Sequence, residues 1–263
     1  MNMKYSAQRG AALIVVMVLL VVITIIATLA VRQSMVVLNI ATNSQAQQLM
    51  LQNSDSAFFN VEQENNIIQS LSSSGMFGYI SGAANKDKEL VFCYRGADPD
   101  QTDFFNITRA SIIEWNAPDI KPKNDDLGKD GFCSAAATTG NFFTSGRKAV
   151  MTQIAVKFSS EAEKDPFYGQ ILGTDDETVK LERSKPVKVL SVSVMPTLTS
   201  ADKSKIDACF SQHMNDPTIP TTVTPAKDSD GNSMGDSVTT CLSKLNVPFE
   251  SSVTEYVIAQ DFI

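Results

Sequence analysis

Between Asp228 and Asp236 the sequence reads DSDGNSMGD, placing Asp228, Asp230, Asn232 and Asp236 at the first, third, fifth and ninth positions of one short stretch. Oxygen ligands at such spacing can converge on a calcium ion if Gly231 and Gly235 allow the chain to turn. Two departures weigh against an EF-hand: Thr239 stands at the twelfth position, where a bidentate glutamate is expected, and glycine is at the fourth place rather than the sixth. A solvated Asp/Gly turn is the competing reading of the same residues.

The remaining chemistry-bearing residues are few. The chain has one histidine, His213, which leaves little room for histidine-based catalysis or a multi-histidine zinc site. The composition reads His213 as a partly exposed residue near the end of a helix. Glycine-rich phosphate loops, a Walker pattern and a G-x-S-x-G elbow are absent from the sequence. Glu114, Asp119, Asp125, Asp126 and Asp130 supply carboxylates, but their spacing distinguishes no catalytic pair from a solvated loop. No enzymatic activity is therefore expected. The net charge of −7 argues against direct nucleic-acid binding, which depends on Lys and Arg neutralising phosphates.

Cys93, Cys133, Cys209 and Cys241 form no C-x-x-C pair. An even count with no metal partners points to two disulfides in an oxidising compartment. Three pairings are open. Cys93 with Cys133 and Cys209 with Cys241 is preferred, because each pair then closes a polar, turn-rich loop.

These residues must be positioned by two very different parts of the chain. From Ala11 to Val31 the only polar side chains are Thr24 and Thr28. As a helix this run spans about 30 Å, enough to cross a bilayer core. Lys4 and Arg9 precede it, so the positive-inside rule puts the first ten residues in the cytoplasm and the rest of the chain, past Arg32, outside it. No glycine or proline occurs between Gly10 and Gly75, so one helix from Ala11 to Ser74, about 95 Å long, is expected. Past Arg32 it becomes amphipathic, with Ala46, Met50, Ala57, Val61, Ile68 and Leu71 on one face. The serines and glycines of SSSGMFGYISG end it.

The remainder changes character. ELVFCYRG, DFFNITRASIIEW, KAVMTQIAVKFSS, VKVLSVSVMPTL and SSVTEYVIAQDFI are rich in β-branched and aromatic residues and read as strands. In the fourth of these, Lys188, Leu190, Val192 and Val194 form the more apolar set, so one face is assigned to the core. SADKSKIDACFSQHMND reads as a short helix capped by Ser200, and DPTIPTTVTPAKDSDGNSMGDS as an exposed irregular loop. The expected fold class is α+β: a long N-terminal helix packed on an antiparallel sheet.

A short basic leader ending in glycine before RGAALIVVMVLL resembles the type IV pilin and pseudopilin class, and RGAAL opening an aliphatic run is similar to its PilX family. The resemblance implies a leader, residues 1–10, cut by a prepilin peptidase between Gly10 and Ala11, with Ala11 the new N-methylated terminus. It implies a membrane and filament-core helix at 11–31, the amphipathic half of the same helix at 32–74, and a periplasmic or extracellular head at 75–263. Cleavage removes Lys4 and Arg9. Most members carry a glutamate at the fifth mature position, pairing with the terminal amine of the preceding subunit; here that position is Val15. The proline that many major pilins place in this helix is replaced by Arg32.

Both departures look like the minor subunits at the filament tip, PilX in type IV pili and GspK in type II secretion. The GspK kind has a large helical insertion where this chain reads as strands and loops. The implied partners are other minor pilins, the major pilin, the prepilin peptidase, the inner-membrane assembly platform and a tip adhesin. The implied location is the inner membrane and then the pilus tip. A membrane-anchored binding protein or adhesin, with the helix only a tether, is the reading from a different class.

Overall fold

The computed structural model describes residues 9–80, 85, 87–95, 104–138, 142–144, 147–158 and 185–258. The chain divides into two compact units, residues 1–47 and 48–263. Helix α1 (Arg9–Glu62) begins in the first and ends in the second.

The second unit is built on a five-stranded antiparallel sheet. After α2 (Glu64–Leu71) and α3 (Met76–Ile80) come β1 (Glu89–Tyr94), β2 (Ala110–Ile113), β3 (Met151–Phe158) and β4 (Lys185–Val194). Helices α4 (Lys203–Gln212) and α5 (Val238–Lys244) precede the last strand, β5 (Phe249–Ile258). The strand order is β2-β1-β3-β4-β5. Each stretch rich in β-branched and aromatic residues thus supplies one strand, and the α+β class expected from the sequence holds.

Three layers enclose two cores, one on each face of the sheet. Met50, Ser54, Ala57 and Val61 recur at steps of four, three and four, which aligns them on one face of α1, and all four are buried. Ala57 and Val61 join Phe77 and Ile80 of α3 against Leu90, Phe92, Ile154, Val156, Val187 and Val189. The contact is partly polar: Ser54 Oγ donates to Ser191 Oγ at 3.0 Å, and Thr152 and Ser193 share a hydroxyl bond at 2.8 Å. On the opposite face, Met151, Val192 and Val194 pack against Ile206, Cys209 and Phe210 of α4 and Val238 and Leu242 of α5.

Several expectations are corrected. In β4 both alternate sets are covered, so Val187 and Val189 are as buried as Val192 and Val194. The long helix does not run to Ser74. It breaks at Gln63, whose backbone is extended (φ −66°, ψ 128°), and Asn66 Nδ2 satisfies the Asn60 carbonyl near the break at 2.7 Å. Ile68 and Leu71 therefore lie on α2, where they are 65% and 41% exposed rather than buried. The stretch containing Gly75 and Gly78 turns from α2 into α3. At Gly78 a Cβ would meet the Ser72 carbonyl oxygen at 1.9 Å, so the glycine permits that close approach. Helix α4 is capped by Asp202, which accepts from Ser204 N at 3.0 Å, not by Ser200. Helix α5 is capped by Ser237, whose hydroxyl oxygen accepts from Thr240 N.

Candidate functional site

Two features carry functional potential: the apolar part of α1 and the disulfide-bound surface of the head. In α1, Leu13 to Val31 present large aliphatic side chains on every side, each about half to two-thirds exposed. The two polar interruptions are satisfied internally, since Thr24 Oγ1 donates to the Val21 carbonyl and Thr28 Oγ1 to that of Ile25, both at 2.8 Å. A helix with its backbone and hydroxyls internally bonded and an apolar exterior is suited to a hydrocarbon environment. By length and composition it can cross a membrane. Gly10 and Ala11 fall within the backbone of α1, whereas residues 1–8 lie outside the described residues. Val15 is 62% exposed on the helix.

The head carries two disulfides, Cys93–Cys133 and Cys209–Cys241, with Cα separations of 4.9 and 5.6 Å. They are linked through the sheet. Gln153 of β3, buried on the face opposite α1, accepts from Cys133 N at 3.0 Å and donates to the Phe210 carbonyl at 3.1 Å. Asp207 of α4 accepts from Ser134 Oγ and from the backbone of Ala135 and Ala136. The first disulfide loop is thus fastened to the helix that bears the second.

The segment from His213 to Ser237 is irregular, as expected, but it is docked rather than loose. Met214 and Met234 pack against Val91, Ile113, Trp115 and Ala155. Its root is held by an ionic cluster absent from the sequence-derived candidates. Glu89 is fully buried and accepts from Asn215 N (2.8 Å), Asn215 Nδ2 (3.2 Å) and Asp216 N (2.7 Å). Lys157, 2% exposed, donates to the Asp216 carbonyl and to Thr218 Oγ1 at 2.5 Å each. Desolvation raises the Glu89 pKa above its ordinary value, opposed by these N–H donors and by the Lys157 ammonium. Strand alternation was the available signal: Met151, Gln153, Ala155 and Lys157 share one face, so a lysine at the end of that series points inward.

His213 is more buried than its composition-based reading, at 4% exposure. Its Nδ1 lies 3.0 Å from the Asp236 carbonyl oxygen.

The four oxygen-bearing residues of the DSDGNSMGD loop do not converge. Asp228 Oδ1 accepts from Asp230 N and Asn232 N at 2.9 and 2.7 Å, and Oδ2 from Asn232 Nδ2 at 3.1 Å. Burial pushes the Asp228 carboxyl up, but these hydrogen bonds outweigh it and hold the pKa below the ordinary aspartate range. Asp230 pairs with Lys205 at 2.7 Å and Asp236 with Lys244 at 2.5 Å. Gly231, with φ of 85°, makes the turn. Among the described residues no three His, Cys, Asp or Glu side chains gather as a metal cluster. This arrangement is a hydrogen-bonded turn flanked by two ion pairs, and it does not fit a cation without displacing those donors.

Calcium is accordingly expected to leave the melting temperature of the full chain in detergent unchanged. A rise with calcium that is lost in Asp228→Asn would restore the metal reading.

Three of the other carboxylates considered from sequence are also engaged with lysines. Glu114 and Asp126 meet Lys88 at 2.9 and 3.5 Å, and Asp119 meets Lys123 at 2.8 Å. The Glu114 hydrogen bond is the main cause of a raised Lys88 pKa. The long apolar N-terminal helix and the antiparallel sheet together are pilin-like in general form. No known protein family, curated protein or solved structure matches the chain.

Proposed function

We propose that the protein is a minor pilin of the PilX kind, which helps form the tip complex that starts assembly of a type IV pilus. In this reading Ala11–Val31 first holds the subunit in the inner membrane with its head in the periplasm. The same segment later packs in the filament core against other minor pilins and the major pilin. The role is assembly rather than catalysis. Adhesion, twitching motility and DNA uptake follow from the filament, with a tip adhesin as a further partner.

The observation that carries the proposal is the apolar surface of α1, free of carboxylates, with Val15 at the fifth position after Gly10. The first carboxylate in the chain is Asp55, so no acidic group lies in the apolar segment to pair with the terminal amine of an earlier subunit. A subunit lacking that handle fits the start of a filament, where no subunit stands above it. Two disulfides in the head agree with an extracytoplasmic location.

Epitope-tagged protein on sheared pili is expected to give immunogold label at one filament end, and deletion is expected to reduce pilus number. Label along the shaft, or normal piliation in the deletion strain, would overturn the proposal. The missing carboxylate also fits a tip pseudopilin of type II secretion. In that case deletion would block protein export and leave pili intact.

A further inference from the structure

Helix α2 packs through a polar position. Ser70 is its one buried residue, while Ile67, Ile68 and Leu71 stay at the surface. Beside it, between the α2–α3 turn and the stretch that leads into β2, lies an open groove of about 460 Å³. That volume falls within the range of small-molecule sites, about 300–1,000 Å³. Ile68, Gln69 and Ser74 line it from the α2 side, and Phe104, Phe105 and Asn106 from the other. The aromatic side is fixed to the core, because Phe104 and Phe105 both meet the buried Phe92 ring in T-shaped contacts, with centroids 5.5 and 5.0 Å apart.

The lining selects a class of ligand. Among the described residues, no ionisable side chain lines the groove, so it offers no counter-charge to a phosphate, a carboxylate or an ammonium ion. A purely hydrocarbon ligand is also a poor match, because it would cover polar groups without replacing their bonds to water. The Gln69 amide and the Ser74 hydroxyl have no protein partner. Asn106 accepts from Thr108 N and Thr108 Oγ1 through Oδ1 at 3.0 and 2.8 Å, which leaves its Nδ2 donor unused. Unused donors and acceptors therefore stand together beside Ile68 and Phe105. A sugar meets both demands, since each hydroxyl donates and accepts while the C–H face of the ring lies on apolar side chains.

We infer that this groove is a binding site for a neutral saccharide of disaccharide size. Gln69 and Asn106 supply hydrogen bonds to its hydroxyls, and Ile68 and Phe105 supply the apolar contact. The inference goes beyond an assembly role, concerns the head alone and stands whether or not the subunit sits at a filament tip.

The test uses the full chain in micelles of a detergent without a sugar headgroup, titrated with maltose, lactose and N,N′-diacetylchitobiose and followed by saturation-transfer NMR. At least one of the three is expected to bind with a Kd of about 1 mM or tighter. Gln69→Ala is expected to weaken that binding at least about fivefold, by removing side-chain bonds that the fold does not use. Asn106→Asp keeps the acceptor for Thr108, removes the Nδ2 donor and is expected to have a similar effect. Gln212→Ala, at the end of α4 and outside the groove, is expected to leave binding unchanged. The inference is overturned if none of the three saccharides binds, or if binding survives both Gln69→Ala and Asn106→Asp. Binding of the uncharged peptide N-acetyl-Gly-Leu-Ser-Gly-amide in place of any saccharide would also overturn it, by assigning the groove to a polypeptide.

Discussion

Replacing Cys209 and Cys241 by alanine is expected to destabilise the folded head by about 4 kcal/mol, the loop-closure entropy for a cross-link spanning that much chain. The two cysteines are 32 residues apart. The span includes the irregular stretch after His213, which contributes few apolar contacts beyond Met214 and Met234. Without the bond, ordering that stretch rests on Glu89, Lys157, those two methionines and the ion pairs of Asp230 and Asp236. Cys93 and Cys133, 40 residues apart, carry a similar effect. Loss of both bonds is then comparable with the whole stability of a typical domain, about 5–15 kcal/mol. Urea unfolding of the full chain in detergent, with and without reductant, measures it. Coincident unfolding curves would show that neither bond restrains the unfolded chain.

Lys157→Met is expected to cost about 1–3 kcal/mol, because it removes the buried donor to the Asp216 carbonyl and the Thr218 hydroxyl and the positive charge that favours ionised Glu89. Combining it with Glu89→Gln is expected to recover part of the loss, since the stranded charge is removed along with its partner. The pH dependence gives an independent reading. The Glu89 pKa is raised in the folded protein by desolvation, so the folded state holds a proton that the unfolded chain has already released. This stabilising contribution is full below the ordinary value of 4.5 and is lost as pH rises through the higher native value. Removing the Lys157 charge, which favours the ionised carboxylate, is expected to widen that window upward. Glu89→Gln is expected to abolish it. A stability profile over this range that is identical in native and Glu89→Gln chains would contradict the assignment.

The sequence disclosed those parts of the structure that rest on simple periodicity. Strands were legible because alternation in segments such as ELVFCY and MTQIAVKF matches a sheet with fixed faces. The membrane-length segment was legible because its apolar character exceeds anything a surface helix needs. The break at Gln63 was not, because neither glycine nor proline marks it and its stabilisation comes from the Asn66 side chain. Nor was the double burial of β4: alternation identifies which residues share a face, but not that α4 and α5 cover the face opposite α1. In the DSDGNSMGD loop, ligand spacing does not reveal which carboxylates are paired: Lys205 and Lys244, outside the loop, take up two of them. The ionic cluster at Glu89 and Lys157 joins residues 68 positions apart in sequence with the backbone of Asn215 and Asp216, a juxtaposition that only the folded sheet creates.

The central claim is that the apolar helix is retained after processing and serves as a filament-core element. The intact mass and N-terminal sequence of the mature chain, from cells with and without active prepilin peptidase, test it most directly. A chain beginning at Ala11 with a methylated amine, found only when the peptidase is active, is the predicted result. A chain beginning near Val31, or an uncut Met1 in both strains, would contradict it and leave the helix as a removed signal or a plain tether.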